Sequence, residues 1–185
     1  MRQKPQQFSP AEKPTTLIIL SGLPGTGKTT LARLLAHQLG ATYLRIDTIE
    51  QALRNSSALA GSVGDAGYRV AYALAADNLQ LGKSVVADSV NPLRITRDAW
   101  RAAAAGTTAR VIDVEVVCSN LAEHRRRVES RHSDIPGLSP PTWREVIDRE
   151  YHPWDRPHIT MDTANSPVDQ VMATLWSLIS HSAAG

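Results

Sequence analysis

The chain has 185 residues, 42% of them hydrophobic and 21% charged, which is typical of one globular domain with its own core and excludes a disordered or large multidomain protein. Twenty Lys and Arg residues against 18 Asp and Glu give a formal charge of +2, too small for the broad basic track that long nucleic acids favour. The single cysteine, Cys118, excludes an internal disulfide and a cysteine-based zinc site. We therefore expect a reducing, cytoplasmic setting.

The first 14 residues are polar and rich in Pro and Gln, and they lack the apolar run of a secretory signal. We expect a flexible tail over residues 1–14 and a single domain over residues 15–185. No apolar run approaches the roughly 20 residues needed to cross a bilayer, so no membrane partner is expected. The oligomeric state is left open.

Short apolar segments alternate with segments whose apolar residues recur every three or four positions. The short segments predict strands at 16–20, 42–46, 84–87, 111–117 and 158–161. The longer ones predict helices at 29–39, 48–59, 68–81, 94–105, 121–130 and 168–180, with a short helix near 142–150 in a proline-broken region. Such alternation favours a three-layer α/β fold, a five-stranded parallel sheet flanked by helices, with ligands at the carboxyl ends of the strands.

A glycine-rich motif directly follows the first predicted strand and precedes a predicted helix, and it matches G-x-x-x-x-G-K-[ST] completely. Its glycines allow backbone N–H groups to point at phosphates, its lysine can reach the β- and γ-phosphates, and its last hydroxyl can hold Mg²⁺. The motif predicts binding of a nucleoside triphosphate with Mg²⁺. The residues expected to contact the nucleotide here are Gly22, Leu23, Pro24, Gly25, Thr26, Gly27, Lys28, Thr29 and Thr30.

Two kinds of P-loop protein fit the remaining sequence poorly. A regulatory GTPase should carry an Asn-Lys-x-Asp guanine reader, and the chain has none. A motor or AAA-type ATPase usually ends its third strand with Asp-Glu, but here Asp88 is followed by Ser89, so the base that would activate water is missing. These features favour phosphoryl transfer to an acceptor other than water.

The chain resembles the small P-loop kinases, the family that includes gluconate, shikimate and adenylylsulfate kinases, chloramphenicol phosphotransferase, zeta toxins and the kinase domain of polynucleotide 5′-hydroxyl kinases. The resemblance spans about residues 17–163 and rests on the motif at 22–29, on Asp47 and Asp88 after the second and third strands, on Asn91, and on a basic segment with Arg127 and Arg131. Residues 86–101 look closest to uncharacterised ATP-binding proteins grouped with polynucleotide-kinase-like enzymes.

In the resembling kinases, the residue matching Asp47 orients the acceptor hydroxyl and accepts its proton, a recurring part of phosphoryl transfer. The alternative is that Asp47 only caps the following helix. Asp88 is expected to bind Mg²⁺ directly or through water, or to hydrogen-bond the acceptor together with Asn91. The alternative for Asp88 is again a helix cap, since Asn91-Pro92 suits a helix start.

Four arginines lie within residues 125–131, and Arg127 and Arg131 share a helix face at i,i+4 spacing. The resemblance implies an Arg-bearing lid whose charges neutralise the transferred group and exclude water. The alternative is a solvated basic face. Thr163, after the last strand, lies where the resembling kinases hold adenine.

The sequence thus predicts an ATP- and Mg²⁺-dependent kinase that phosphorylates a hydroxyl of a small molecule or of a nucleoside or nucleotide. Lys28, Asp47, Arg127 and Arg131 are the candidate catalytic residues, Asp47, Asp88 and Asn91 the candidate acceptor-binding residues, and Thr29 and Asp88 the candidate metal ligands. Two alternatives stay open: a nucleotide-binding regulatory ATPase or switch with little transfer activity, and a polynucleotide 5′-hydroxyl kinase. The acceptor is not identified.

Overall fold

The computed structural model describes residues 14–56 and 61–181. Residues 1–13 of the predicted tail, and residues 57–59 of the predicted second helix, lie outside the described residues. Five strands and seven helices occupy the described part of the chain. They are β1 (Thr16–Ser21), α1 (Lys28–Leu39), β2 (Thr42–Arg45), α2 (Ile46–Arg54), α3 (Ala66–Gln80), β3 (Val85–Asp88), α4 (Arg94–Ala102), β4 (Arg110–Val117), α5 (Leu121–Glu129), α6 (Trp143–Ile147), β5 (Ile159–Asp162) and α7 (Val168–His181).

The five strands form one sheet in the order β2-β3-β1-β4-β5, and every neighbouring pair is parallel. Helices cover both faces, so the predicted three-layer α/β fold is confirmed. The chain moves from β1 outward past β3 to β2, and later crosses to β4 on the other side of β1. This change of direction opens a crevice at the carboxyl ends of β1 and β3, where ligands bind in open α/β sheets.

The central strand β1 is buried along its whole length, and its alternating side chains feed two separate cores. Ile18 and Leu20 pack with α1 and α7, whereas Leu17 and Ile19 pack with α3 and Trp100 of α4. Both faces of the sheet are therefore apolar, which explains why the strands read as continuous apolar runs. A rigid, two-sided core holds the strand ends that carry the polar residues.

Two helix boundaries differ from the prediction in ways that matter for the site. Helix α2 begins at Ile46, two residues earlier than predicted, so Asp47 lies inside its first turn. Helix α5 ends at Glu129, so Arg131 lies beyond the helix. The prediction that Arg127 and Arg131 share a helix face is therefore wrong, because the chain leaves the helix between them.

Among the described residues, no helix is long and apolar enough to cross a membrane. Cys118 is a buried free thiol at the end of β4. The cytoplasmic setting expected from the single cysteine stays a prediction.

Candidate functional site

The glycine-rich loop joins β1 to α1 at the crevice, and two of its glycines are required by close contacts. A Cβ atom on Gly22, whose φ is +144°, would lie 2.2 Å from the carbonyl oxygen of Val116. A Cβ atom on Gly25, at φ +86°, would lie 2.5 Å from Cγ2 of Val128. Helix α1 starts at Lys28 directly after the left-handed Gly27, so the N–H groups of its first turn face the crevice. This is the backbone arrangement that binds phosphates.

His124 of α5 binds the backbone of this loop, and no sequence motif pointed to it. Its Nε2 atom lies 2.8 Å from the carbonyl oxygen of Pro24, and its ring meets the edge of Trp143 at 5.1 Å between centroids. Because a carbonyl can only accept, Nε2 must carry the hydrogen. His124 is almost completely buried. The histidine therefore ties the loop to α5.

Lys28 and Asp88 form a buried ion pair, with Nζ 3.1 Å from Oδ1. The Tyr43 hydroxyl donates to Oδ2 of the same carboxylate at 2.7 Å. Burial alone would raise the pKa of Asp88, but the charge of Lys28 and hydrogen bonds from Tyr43, Lys28 and Thr29 outweigh it and lower the pKa. Asp88 is thus held as an anion beside Lys28.

Thr29 and Asp88 place a hydroxyl and a carboxylate next to each other at the mouth of the loop, and such oxygen ligands suit Mg²⁺. Within residues 14–56 and 61–181, no group of three or more His, Cys, Asp or Glu side chains could hold a metal ion. A Mg²⁺ ion here would therefore keep most of its ligands from water and phosphate oxygens, as this ion usually does beside nucleotides. The residues present fit that mode of binding.

Asp47 lies at the same edge of the sheet, two residues beyond the end of β2. The residue at the N-cap of α2 is Arg45, without a side-chain cap, so the alternative that Asp47 serves as the helix cap is wrong. The Asp47 side chain is 38% exposed, and its Oδ2 lies 3.8 Å from Nη2 of Arg45. The cap alternative for Asp88 also fails, because Asp88 ends β3 and α4 begins only at Arg94.

A cleft of about 520 Å³ opens beside Asp47, and we call it the Asp47 cleft. Its lining carries charges of both signs together with the prolines at 140 and 141. Burial raises the pKa of Glu50 in this wall, although the charge of Arg54 opposes the change. The charged residues of the lining are Lys28, Asp47, Glu50, Arg54, Arg131, Glu145 and Arg149.

A second cleft, of about 310 Å³, lies directly over the glycine-rich loop and is called the loop cleft. Residues 25–30 form its floor, and Arg45, Arg127 and Arg131 line it from other elements. Lys28 and Arg131 also line the Asp47 cleft. The two clefts therefore meet at these two cationic side chains.

Arg127 is fixed to the segment after β5. Its Nη1 donates to the hydroxyl of Thr163 at 2.8 Å and its Nη2 to the carbonyl of Thr163 at 2.9 Å, while Glu123 pairs with the same guanidinium. The Thr163 hydroxyl in turn donates to the carbonyl of Thr26 at 2.7 Å. A third cleft of about 300 Å³, the Thr163 cleft, is lined by Arg127, Thr163 and several apolar side chains. The solvated-face alternative for Arg127 does not hold, because its guanidinium is bonded inside the fold.

The structure does not bring Asn91 to these clefts. Its side chain is 0% exposed and donates to the Ser21 hydroxyl at 2.9 Å, and its backbone has φ +49°. Contact with an acceptor stays a prediction for Asn91. Its position favours a role in holding the turn that follows β3.

Arg45 and Asp134 form a further part of the site that sequence reasoning missed. Nη1 of Arg45 donates to both oxygens of Asp134, at 3.0 and 2.9 Å, and Arg33 of α1 pairs with the same carboxylate. Burial would raise the pKa of Asp134, but the hydrogen bonds from Arg33 and Arg45 lower it to about 2. This carboxylate connects the segment after α5 to β2 and α1. The sequence feature that could have indicated this part of the site was an arginine, Arg45, at a strand end.

Comparisons with solved structures show the same fold at low sequence identity. A Chloroflexus aurantiacus protein that is named provisionally as a kinase superposes with a TM-score of 0.68 at 23% identity, covering 89% of this chain and 98% of that one. The APS kinase CysC from Mycobacterium tuberculosis, in complex with AMPPNP and APS, gives 0.63 at 19% identity, covering 91% and 99%. A gluconokinase from Sinorhizobium meliloti gives 0.59 at 18%, covering 91% and 97%.

Sequence comparisons give one short match and one long match. A stretch of 34 residues is 59% identical to a 26S proteasome regulatory subunit 4 homolog from Encephalitozoon cuniculi, but this covers 18% of the chain and 8% of the relative. The chain thus spans a small part of that relative's length. A family profile described as an AAA domain matches residues 17–139, which is more than half of the chain and includes the loop, Asp47, Asp88 and Asp134. Although Ser89 follows Asp88 where an AAA-type ATPase usually has Glu, the match over residues 17–139 makes the protein a member of this family of P-loop domains, AAA_33.

Proposed function

We propose that the protein is an ATP- and Mg²⁺-dependent phosphotransferase that moves the γ-phosphoryl group of ATP to a hydroxyl of a small molecule, with nucleosides and nucleotides among the candidates. The observation that carries the proposal is the meeting of two clefts at Lys28 and Arg131. One cleft covers the phosphate-binding loop, and the other presents the Asp47 carboxylate. A donor and an acceptor bound in these clefts would have their reacting groups side by side.

The loop cleft and the Thr163 cleft together suit ATP. Backbone N–H groups at the start of α1 and the side chain of Lys28 would hold the phosphates. The Thr163 cleft is lined by Leu31, Val168 and Val171 as well as by the Arg127 guanidinium, a setting for a flat base. Thr29 and Asp88 would hold Mg²⁺, which when bound neutralises charge on the β- and γ-phosphates.

The transfer step places few covalent demands on the protein. The acceptor oxygen forms a new P–O bond to the γ-phosphorus while the bond between that phosphorus and the β,γ-bridging oxygen breaks, and ADP leaves with the electron pair. Asp47 orients the hydroxyl and takes its proton. Lys28 and Arg131 stabilise the negative charge on the group in transit, because both line the boundary between the two clefts.

The structures with the same fold support transfer to a small acceptor. Two of them are named for such reactions, an APS kinase with APS bound and a gluconokinase. The fold also occurs in a protein that is not named as a kinase, since Kti12 of Chaetomium thermophilum, in complex with ADP-AlF3, superposes at a TM-score of 0.61 and 22% identity. The mixed charge of the Asp47 cleft favours a small polar acceptor over a long nucleic acid.

The test begins with a screen of labelled ATP against sugars, sugar acids, nucleosides and nucleotides, followed by single-turnover transfer to the best acceptor. Asp47→Asn keeps the shape of the side chain but removes the proton acceptor, so transfer should fall by roughly 10²–10⁴-fold. ATP affinity and melting temperature should stay near wild type. Lys28→Ala is the matched control, because it should lose ATP binding as well as transfer.

Three results would contradict the proposal. A folded Asp47→Asn protein with the full transfer rate would remove Asp47 from the reaction. A wild-type protein that binds ATP but transfers to no member of the screen would instead favour the regulatory switch. Strong inhibition by salt with an oligonucleotide acceptor would favour the polynucleotide kinase alternative.

A further inference from the structure

Arg45 is buried at the centre of the site. It is the last residue of β2, and its side chain is 3% exposed. Three carboxylates surround its guanidinium group, those of Asp47, Asp88 and Asp134. Burying a charged group in this way is costly unless its hydrogen-bonding groups are all used.

The hydrogen bonds of Arg45 are unevenly distributed. Nη1 is fully engaged with Asp134, at 3.0 and 2.9 Å. Nε and Nη2 are buried, and neither has a hydrogen-bond partner among the residues that the structure describes. They lie 4.0 Å from Oδ2 of Asp88 and 3.8 Å from Oδ2 of Asp47, which is ion-pair range but too long for a hydrogen bond. Unmade hydrogen bonds of this kind are rare inside proteins and call for an explanation.

The two unpartnered nitrogens form one edge of the guanidinium plane. Two parallel N–H groups on such an edge match two oxygens of a phosphoryl group or a carboxylate. The carboxylates of Asp47 and Asp88 stand beside this edge without closing on it. The edge is therefore suited to a ligand with two or more acceptor oxygens.

The position of Arg45 identifies the ligand. Arg45 lines the loop cleft, and its Nη2 lies close to Asp47, which lines the other cleft. A phosphoryl group that is transferred from the loop cleft to a hydroxyl at Asp47 must pass between the loop cleft and Asp47, next to Arg45. We propose that Arg45 is a further catalytic residue, whose Nε and Nη2 bind the γ-phosphoryl group that is transferred. The inference rests on the proposed function, because it takes the two clefts to be the donor and acceptor sites.

The test compares binding of Mg²⁺–ADP with binding of the Mg²⁺ complex of AMPPNP, an ATP analogue with a non-transferable γ-phosphoryl group, by calorimetry on the full chain. Arg45→Gln should reduce the preference for AMPPNP over ADP by about tenfold or more, because it removes charge-assisted hydrogen bonds to the γ-phosphoryl group alone. The affinity for ADP should stay within about twofold of wild type.

Two further variants sharpen the result. Arg45→Lys keeps a positive charge among the three carboxylates and so protects the fold, but it lacks the two-pronged edge, and the preference for AMPPNP should fall several-fold. Arg33→Gln is the matched control, since it also removes an arginine from Asp134 and from the lining of the loop cleft but leaves Arg45 in place. Its preference for AMPPNP should stay within about twofold of wild type.

An unchanged preference for AMPPNP in folded Arg45→Gln or Arg45→Lys protein would show that Arg45 is a structural ion pair and overturn the inference. Equal losses in the Arg45 and Arg33 variants would also overturn it, by showing a general effect of charge. The binding measurement needs no acceptor, so it is separate from the proposed transfer. A protein without transfer activity that still lost its AMPPNP preference in Arg45→Gln would refute the proposed function and keep Arg45 as a γ-phosphoryl contact.

Discussion

Two arginines of this protein, Arg45 and Arg97, are buried, and their surroundings differ. Arg97 of α4 is 0% exposed and has no carboxylate partner within the described residues. All three of its guanidinium nitrogens donate to backbone carbonyls, those of Asn91, Pro92, His152 and Pro153, at 2.9 to 3.3 Å. Its planar group also lies over the Trp154 ring, 4.1 Å from the centroid.

Arg45 has the opposite arrangement, with three carboxylates nearby but an edge of two unpartnered N–H groups. The difference separates a structural buried arginine from one that can bind a ligand. Where every donor is used by fixed backbone groups, the side chain joins two segments and its role is structural. Where buried donors next to a cleft have no partner, as at Arg45, we infer that they bind a ligand.

The largest expected effect on stability comes from removing Arg97. Arg97→Met should destabilise the protein by about 3 kcal/mol, because the four hydrogen bonds that Arg97 donates to backbone carbonyls and the contact with Trp154 are lost. For a chain of this size that corresponds to a fall in melting temperature of about 6–12 °C. Urea unfolding and calorimetric melting measure it. ADP affinity of the folded variant should change little.

Arg94→Met is the control for Arg97, because Arg94 lies on the same helix in an exposed ion pair with Asp155. Such pairs contribute about 0–1 kcal/mol, so the free energy of unfolding should change by no more than that. Equal effects of the two substitutions would contradict the assignment of Arg97 as a structural joint.

A smaller effect is expected at the support of the glycine-rich loop. His124→Phe keeps an aromatic ring against Trp143 but removes the donor to the Pro24 carbonyl, which should cost about 1 kcal/mol of stability and weaken ATP binding several-fold. His124→Gln offers an amide N–H at a similar reach and should restore most of the affinity. Calorimetric titration with Mg²⁺–ATP separates them, and equal affinities would show that the hydrogen bond does not position the loop.

The smallest expected effect is a loss of folding stability at low pH. The pKa of Asp134 is lowered to about 2 in the folded protein, from an ordinary value near 4, by Arg33 and Arg45. Its ion pairs therefore stabilise the fold above about pH 4, and this contribution is lost as the pH falls towards 2. Because the side chain is 44% exposed, the contribution should stay below about 1 kcal/mol.

Asp134→Asn should be less stable than wild type at pH 6, and the difference in the free energy of unfolding should shrink between pH 4 and pH 2.5. Urea unfolding across this range measures the difference. A constant gap between the two proteins at all pH values would show that the charge of Asp134 is not what stabilises the contact.

Much of the site could be predicted because it is local in the chain. The glycine-rich loop is one continuous stretch, and its conformation follows from Gly22 and Gly25, where any side chain would strike the backbone of Val116 or the side chain of Val128. Asp47 and Asp88 were found because strand ends of a parallel sheet share an edge. The first residue of α2 was not predicted correctly, because Ile46 begins the helix directly after β2 without a capping side chain.

The family of the chain, its parallel sheet and its glycine-rich loop could be predicted from the sequence, because each depends on residues that are close together or on a periodic pattern. Which distant side chains contact each other depends on the tertiary structure. Arg45 and Asp134 are 89 positions apart, Arg33 and Asp134 are 101 apart, and His124 and Pro24 are 100 apart. No local pattern records such pairs, because their contact depends on how α5 and the segment after it pack across the crevice.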